Sequence, residues 1–403
     1  SALGQAGNSA QAIADFSEAI ALKPNCSPTY FNRGLAHRTF GQTSAALDDY
    51  TRSIELDSKN YRAFNNRAML HRDSKNFDEA IQDLDKCLSV RPDFYEALWN
   101  KSLTLLLMGN NDLGWELYES RWLTPEFKSK VRNFSAPLWL GKNSLKNKTI
   151  LIHSEQGLGD SLQFCRYINL FQNLSCTVLL EVEGQLVTIM RNLLPKENIF
   201  RKGAQLPEFD YHCPMMSLPL AFKTHGVDYL EKGPYLRPNA SAVAHWASVL
   251  GKSKKPRVGL AWRGNPNHVK NNMRSIKLRE LIPLLSTRFD WISLEIDPSE
   301  EEADLMHKCA FIDNFGPDIG DFLSTSALCR NLNAVVSVDT SIAHLAGSIG
   351  TLVHLLLPYT PDFRWQHSGR TTHWYPNMVL HRQNEDKNWR PLIRNVSNAL
   401  LTA

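Results

Sequence analysis

Gly7, Gly41, Lys75 and Gly109 stand 34 residues apart, and each opens a similar phrase. Five residues later come Ala12, Ala46, Ala80 and Gly114, all small. Four further on come Phe16, Tyr50, Leu84 and Tyr118, all large. In the helix before each turn, Gly34, Ala68 and Ser102 are small again and keep the same interval. Small residues let two helices approach, and large ones fill the groove beside them. Register kept through three intervals signals one supersecondary unit repeated, each burying its apolar face on the next. The first third of the chain is therefore a stack rather than a closed globule.

This period and pattern resemble the tetratricopeptide repeat, a helical hairpin that stacks into a superhelix. The chain opens inside a repeat, so further repeats before Ser1 are expected. A second ladder runs through Asn32, Asn66 and Asn100, followed by Arg33, Arg67 and Lys101. In such a solenoid the first helix of each hairpin lines the concave face. Evenly spaced amides there suit the backbone of an extended peptide without reading its sequence. The alternative is that Asn and Arg belong to the repeat's own consensus and hold neighbouring hairpins together; the sequence leaves both open. The last unit departs from the pattern, and Trp115, Trp122 and Trp139 suggest a cap that docks onto something else.

A length of 403 residues calls for two or three domains. Hydrophobic residues make up 43% and charged ones 21%, as in a soluble globular protein, and the formal charge of +4 argues against a nucleic-acid binder. The seven cysteines are scattered and odd in number, which disfavours a zinc site or a disulfide framework and favours a reducing, cytoplasmic setting. No apolar run approaches a membrane span, and no signal peptide is visible.

From Thr149 onward short apolar runs alternate with helical stretches. "TILIHS", "CTVLLEVE", "NIFRKG" and "FDYHCPM" read as strands of one half; "PRVGLAW", "DWISLEI", "AFIDNF", "AVVSVD" and "LVHLLLP" read as strands of another. Such alternation predicts two parallel sheets with helices on both faces. The expected organisation is repeats over 1–122, a capping linker over 123–148, a first Rossmann-like half over 149–250 and a second over 251–403 with a closing helix. Ligands of such sheets bind beyond the carboxyl ends of the strands, in the cleft between the halves.

Three segments fall at those ends. "HSEQGLGDSLQF" carries Gly157 and Gly159 with an acid, Asp160, where the helix should begin. "AWRGNPNHVKNNMRSI" gathers Arg263, Lys270, Arg274 and Lys277 around Gly264 and Asn265. "VSVDTSIAHLAGSIG" is a buried strand running into a helix that starts at Asp339, Thr340 and Ser341, with His344 one turn in. Amides and hydroxyls at that start suit a pyrophosphate, and the basic loop suits a diphosphate leaving group. Each also has an ordinary structural explanation, as a helix cap or a solvated loop.

Together with "LPYTPDFRW…WYPNMVLHRQ", these segments resemble the heptosyltransferase-like glycosyltransferases of the GT-B fold, and in particular bacterial proteins that fuse such a domain to tetratricopeptide repeats. The overall plan is also similar to that of the O-GlcNAc transferases. The resemblance implies sugar transfer from a nucleotide-diphosphate donor. It makes Asp160 the general base and places Glu155, Gln156, Gly157, Gly159 and Gln163 on the acceptor side. It assigns Arg263, Gly264, Arg274, Leu294, Glu295, Asp339, Thr340, Ser341 and His344 to the donor. The family commonly has Lys where Arg274 is placed. No Asp-x-Asp follows a strand, so no metal and no other cofactor is expected. The implied partners are the nucleotide sugar and a protein or peptide acceptor along the repeats, and a homo-oligomer is allowed. Two alternatives remain: a repeat scaffold whose GT-B part is inactive, and a glycan- or lipid-directed transferase.

Overall fold

A computed structural model describes residues 2–223, 233–266, 271–309 and 311–402. Its contacts divide the chain into two units: Ser1–Val131 with Asp362–His367, and Arg132–Pro361 with Ser368–Ala403.

The first unit is a run of helices: α1 (Ala2–Leu22), α2 (Ser27–Phe40), α3 (Thr43–Leu56), α4 (Tyr61–Asp73), α5 (Phe77–Val90), α6 (Tyr95–Met108) and α7 (Asn111–Tyr118). The small-and-large ladder explains how they pack. A Cβ at Gly34 on α2 would lie 2.8 Å from the Tyr50 ring on α3, and one at Gly114 on α7 would lie 2.7 Å from Leu106 on α6. Tyr50, Leu84 and Tyr118 fill the grooves and are buried. The 34-residue position that opens each phrase is the left-handed turn between paired helices: φ is +86° at Gly41, +63° at Lys75 and +89° at Gly109. At Gly7 the expected break is missing, because α1 runs straight through it.

The segment Asp362–His367 was expected in the last α/β half, yet it packs with the helices. The Phe363 ring sits 5.7 Å from Trp115 and 5.9 Å from Tyr118, and the His367 N–H donates to the Leu107 carbonyl at 3.1 Å. Trp115 thus does cap the repeats, against a piece of chain more than two hundred residues away. Trp122 packs on Phe127 in the same unit, with the buried Arg121 guanidinium between the Tyr118 and Trp122 rings at 4.6 and 4.5 Å.

The second unit holds two parallel sheets. β1 (Thr149–His153), β2 (Thr177–Val182), β3 (Ile199–Arg201) and β4 (Tyr211–Pro214) lie in the order β3-β2-β1-β4. β5 (Arg257–Ala261), β6 (Asp290–Ser293), β7 (Ile312–Asn314), β8 (Ala334–Val338), β9 (Val353–Leu357) and β10 (Met378–Arg382) lie in the order β10-β9-β8-β5-β6-β7. Counted from β5, the second order is that of the doubly wound dinucleotide-binding sheet. β8 and β9 are buried along their whole length, as strands covered on both faces must be. β10, missed as a strand in the sequence, continues the sheet beside β9. Trp139 packs on Phe171 and Phe222 in the first half. The closing helix Trp389–Thr402 sinks Leu392, Ile393, Val396 and Leu400 into the second half's core. Among the described residues no helix is long and apolar enough to cross a membrane.

Candidate functional site

Each sheet reverses its strand order once, between β1 and β4 and between β5 and β8. The three segments singled out in the sequence are the loops leaving β1, β5 and β8, so all three stand at the carboxyl ends beside a reversal. This is where open α/β sheets take ligands.

After β1, Gly157 is the extended N-cap of a helix, Leu158–Phe164. Asp160 is that helix's third residue rather than its cap, and its Oδ2 accepts the Gly157 N–H at 2.7 Å. The carboxylate therefore already satisfies one first-turn donor. Gly159 explains the glycine loop: a Cβ there would lie 3.0 Å from the His344 ring and 3.6 Å from Ser341 Cα. A methyl group here would need the His344 ring to give by a few tenths of an ångström, so glycine eases this close approach of the two loops. Glu155 and Gln156 are half-buried at the loop. Gln163 is fully buried one turn below Gly159, and neither of its amide atoms has a hydrogen-bond partner among the described residues.

After β8, Asp339 is nearly buried and Thr340 is an extended N-cap whose side chain makes no capping bond. The helix proper is Ser341–Ser348. His344 is buried, not presented at the surface of the helix start. Its Nδ1 lies 2.9 Å from the Tyr375 hydroxyl and its Nε2 lies 3.8 Å from Asp339 Oδ1.

After β5, Arg263 is held by acids of its own half. Its Nε donates to Glu295 at 3.2 Å, its guanidinium lies 3.5 Å from Glu302, and it also donates to the Asp297 carbonyl. Glu295 accepts the Trp262 and Arg263 backbone N–H groups as well, at 3.1 and 3.3 Å. Burial raises its pKa, with Arg263 pulling the other way. For Glu302, burial pushes the pKa up, but hydrogen bonds from Trp262 and Ser299 and the charge of Arg263 leave it below the usual value. The Gly264 N–H donates to Ser275 at 3.1 Å, and a Cβ at Gly264 would lie 2.7 Å from the Arg274 guanidinium. Arg274 Nε is buried without a hydrogen-bond partner among the described residues. Lys277 lines a cavity of about 340 Å³ with Arg279, Ser299, Glu301 and Glu302. Leu294 is core, packed against Gly259. Lys270 lies outside the described residues.

Some site residues escaped the sequence. Glu183, after β2, accepts the Ser154 hydroxyl at 2.9 Å, the Ser161 hydroxyl at 3.4 Å and the Lys202 ammonium at 3.1 Å. Arg166 lies buried over the rings of Tyr235 and Tyr375, at 4.4 and 5.1 Å, and donates to the Trp374 carbonyl at 2.7 Å. His153 and His212 touch across β1 and β4 at 3.2 Å. Burial, then His212, Arg132 and Lys202, push the His153 pKa down to about 3. His153, Ser154 and Ser161 stand in the quoted "HSEQGLGDSLQF", Glu183 ends "CTVLLEVE", His212 lies in "FDYHCPM" and Trp374 and Tyr375 lie in "WYP", but none of them is read as a site residue from the sequence.

In the repeat unit, Asn32, Asn66 and Asn100 fall on α2, α4 and α6. Asn32 is exposed and the other two are half-buried. The Asn100 amide donates to Asn65 on the preceding first helix at 3.0 Å. The basic neighbours are structural: Arg33 grips Asp49 at 2.9 and 2.7 Å and reaches Ser17 at 3.1 Å. Arg67 repeats the motif with Asp83 and Thr51.

Fold and site define a helical-repeat protein with a double parallel-sheet α/β unit whose loops gather at the strand-order reversals. The tetratricopeptide-repeat family matches residues 61–94, and a second profile of the same description matches residues 1–61, so the chain carries tetratricopeptide repeats. The chain is similar to Protein FlbA of Caulobacter vibrioides, 25% identical over 327 residues that make up 74% of this chain and 54% of that protein. It thus spans about half the length of this curated relative. Among solved structures it is similar to MamA (22% identity, 30% of this chain and 70% of that chain, TM-score 0.27). It is also similar to a glycosyl transferase family 9 protein from Veillonella parvula (9% identity, 65% of this chain and 97% of that chain, TM-score 0.47).

Proposed function

We propose that this chain is a glycosyltransferase that moves a sugar from a nucleotide-diphosphate donor to a protein acceptor presented by the repeats. The observation that carries the reading is the contact of Gly159 with His344 and Ser341, which joins loops at the reversal points of two separate sheets. Donor and acceptor loops must meet for an acceptor oxygen to reach an anomeric carbon. In this reading Asp160 takes the proton from the acceptor hydroxyl. The new bond forms from that oxygen to the anomeric carbon as the bond to the diphosphate breaks. The start of the Ser341–Ser348 helix and the guanidinium groups of Arg263 and Arg274 stabilise the departing phosphates, and the step needs no divalent ion. Asn32, Asn66 and Asn100 contact the acceptor's backbone. A cytoplasmic setting belongs to the same reading.

The test is a thermal-shift panel of nucleotide sugars, followed by intact-mass analysis of candidate acceptor proteins incubated with the best ligand. One nucleotide class is expected to raise the melting temperature, because a ligand bound only by the folded state stabilises it. The acceptor should then gain the mass of a sugar residue. A panel with no stabilising member overturns the proposal.

The scaffold reading keeps one specific support. Arg263 already pairs with Glu295 and Glu302, and Asp160 already serves the Gly157 N–H. Nucleotide binding without any mass change in acceptors would favour it.

A further inference from the structure

The sheet order places three polar side chains in a row beyond the strands of the first half. β1, β2 and β3 are neighbours, and the parallel register pairs His153 with Glu181. Residues just past these strands therefore emerge side by side: Ser154 after β1, Glu183 after β2 and Lys202 after β3. The backbone ladder runs on into them. The Ser154 N–H donates to the Glu181 carbonyl at 2.9 Å, and the Lys202 N–H donates to the Val182 carbonyl at 2.7 Å. Glu183 joins the row through its side chain. Its Oε1 accepts the Ser154 hydroxyl at 2.9 Å and the Lys202 ammonium at 3.1 Å. Its Oε2 lies 3.4 Å from the Ser161 hydroxyl. That hydroxyl is equally far from the Gly157 carbonyl, and of two acceptors at one distance the charged one draws the proton more strongly. Ser154 and Ser161 are both buried, and they bracket the glycine loop. Ser154 is its first residue after β1, and Ser161 lies one turn into the helix that follows. An ionised carboxylate has two oxygens that only accept, so it can take both hydroxyl protons at once. The Lys202 charge offsets the cost of holding that anion partly out of water.

Resting on the reading of Asp160 as general base, we propose that Glu183 is a positioning residue that clips the two ends of the glycine loop together and so sets Asp160 against the acceptor oxygen. Asp160 directly precedes Ser161, and its carboxylate is bonded to the Gly157 N–H inside the same span. Misplacing a reacting group by about 1 Å can cost ~10²-fold in rate. Glu183 acts through the two serines and not on the substrate.

The experiment uses the full chain and two readouts. Hydrogen–deuterium exchange follows the Gly157 and Ser161 amides, both hydrogen-bonded in the parent. Sugar transfer gives kcat and the donor KM separately. Glu183→Ala should speed exchange at these amides about tenfold, the scale of one hydrogen bond to a charged group, and leave the sheets as they were. It should lower kcat ~10²-fold and leave the donor KM within about twofold. Ser154→Ala spares the Glu183–Lys202 pair and should shift both readouts the same way. Glu183→Gln keeps a carbonyl oxygen for the Ser154 hydroxyl and should recover most of both. Lys202→Met leaves both serine contacts and should change neither by more than about twofold. Loop exchange at the parent rate in Glu183→Ala and Ser154→Ala overturns the proposal. So does a Lys202→Met variant as impaired as Glu183→Ala, which would assign the effect to the ion pair. Faster exchange throughout the chain in both variants would mean a folding role alone and overturns it too. Faster loop exchange with kcat unchanged removes the positioning role. If the parent transfers sugar to no acceptor, the transferase reading itself fails, and loop exchange still decides the clip.

Discussion

Arg67 on α4 holds Asp83 on α5 through both carboxylate oxygens, at 2.8 and 2.7 Å, while its third nitrogen reaches Thr51 on α3. One side chain thus ties the two helices of its own hairpin to the hairpin before. Asp83 is the more buried partner, so losing the arginine leaves a buried carboxylate uncompensated. Arg67→Met should cost about 3 kcal/mol in urea unfolding of the repeat unit. Asp83→Asn should cost less, because the guanidinium reaches water more readily. The double variant should fall short of the sum, since each change removes the same interaction.

Lys75 occupies a position where Gly41 and Gly109 stand in the neighbouring repeats, with φ at +63°. An L-residue there brings its Cβ toward a carbonyl oxygen, at a cost of roughly 1–2 kcal/mol. Lys75→Gly should raise stability by about 1 kcal/mol, less the entropy that glycine returns to the unfolded chain. A lower unfolding midpoint for this variant would show that the lysine side chain contributes more than its backbone strain costs.

Phe363 is nearly buried between Trp115 and Tyr118 although it belongs to the segment between β9 and β10. Phe363→Ala should destabilise the repeat unit by about 3 kcal/mol. Hydrogen exchange should show the loss at α6 and α7 before the sheets. Equal acceleration throughout the chain would contradict the assignment of this segment to the repeats.

Two histidine pairs sit across neighbouring strands: His153 with His212 at 3.2 Å, and His354 with His381 at 3.0 Å. Burial, then His354 and Arg370, push the His381 pKa down to about 4, and His153 is pushed to about 3. Each folded pKa lies below the unfolded value near 6.5, so between the two the unfolded chain binds more protons. Stability is full above about pH 6.5 and falls as the pH drops toward 4, by up to about 1.4 kcal/mol per pH unit for each such histidine. Denaturant midpoints from pH 8 to pH 5 should show this slope, and His381→Gln should flatten it.

Asp160→Asn retains an oxygen for the Gly157 N–H, so melting should change little. If Asp160 is the general base, transfer at saturating donor should fall by ~10²–10⁴ with nucleotide affinity kept. Asp160→Ala should lose the capping bond too and cost about 1 kcal/mol. Transfer at the parent rate in the asparagine variant would leave Asp160 as a helix-end residue alone.

Periodicity carried the repeats and the sheets into view. The 34-residue interval repeats because each hairpin must present the same surfaces to its neighbour, so the contact between Gly34 and Tyr50 is written in the chain. The buried strands were legible as apolar runs, because both faces of a parallel sheet are covered. The loops after β1, β5 and β8 were legible because glycines, acids and helix starts leave local signals. Which of those polar groups is occupied was not local. Arg263 meets Glu295 and Glu302 only when the chain ends of β5 and β6 are brought together. His344 reads in the sequence as a donor one turn into a helix; its burial against Gly159 and Tyr375 depends on residues 185 positions before it and 31 after it. The sequence by itself determined the repeat, the loops and every described strand but β10, since each rests on neighbours a few residues apart. Tertiary structure alone decided that Phe363 caps the repeats and that His344 faces inward, because close packing selects partners by position in space and leaves no period along the chain.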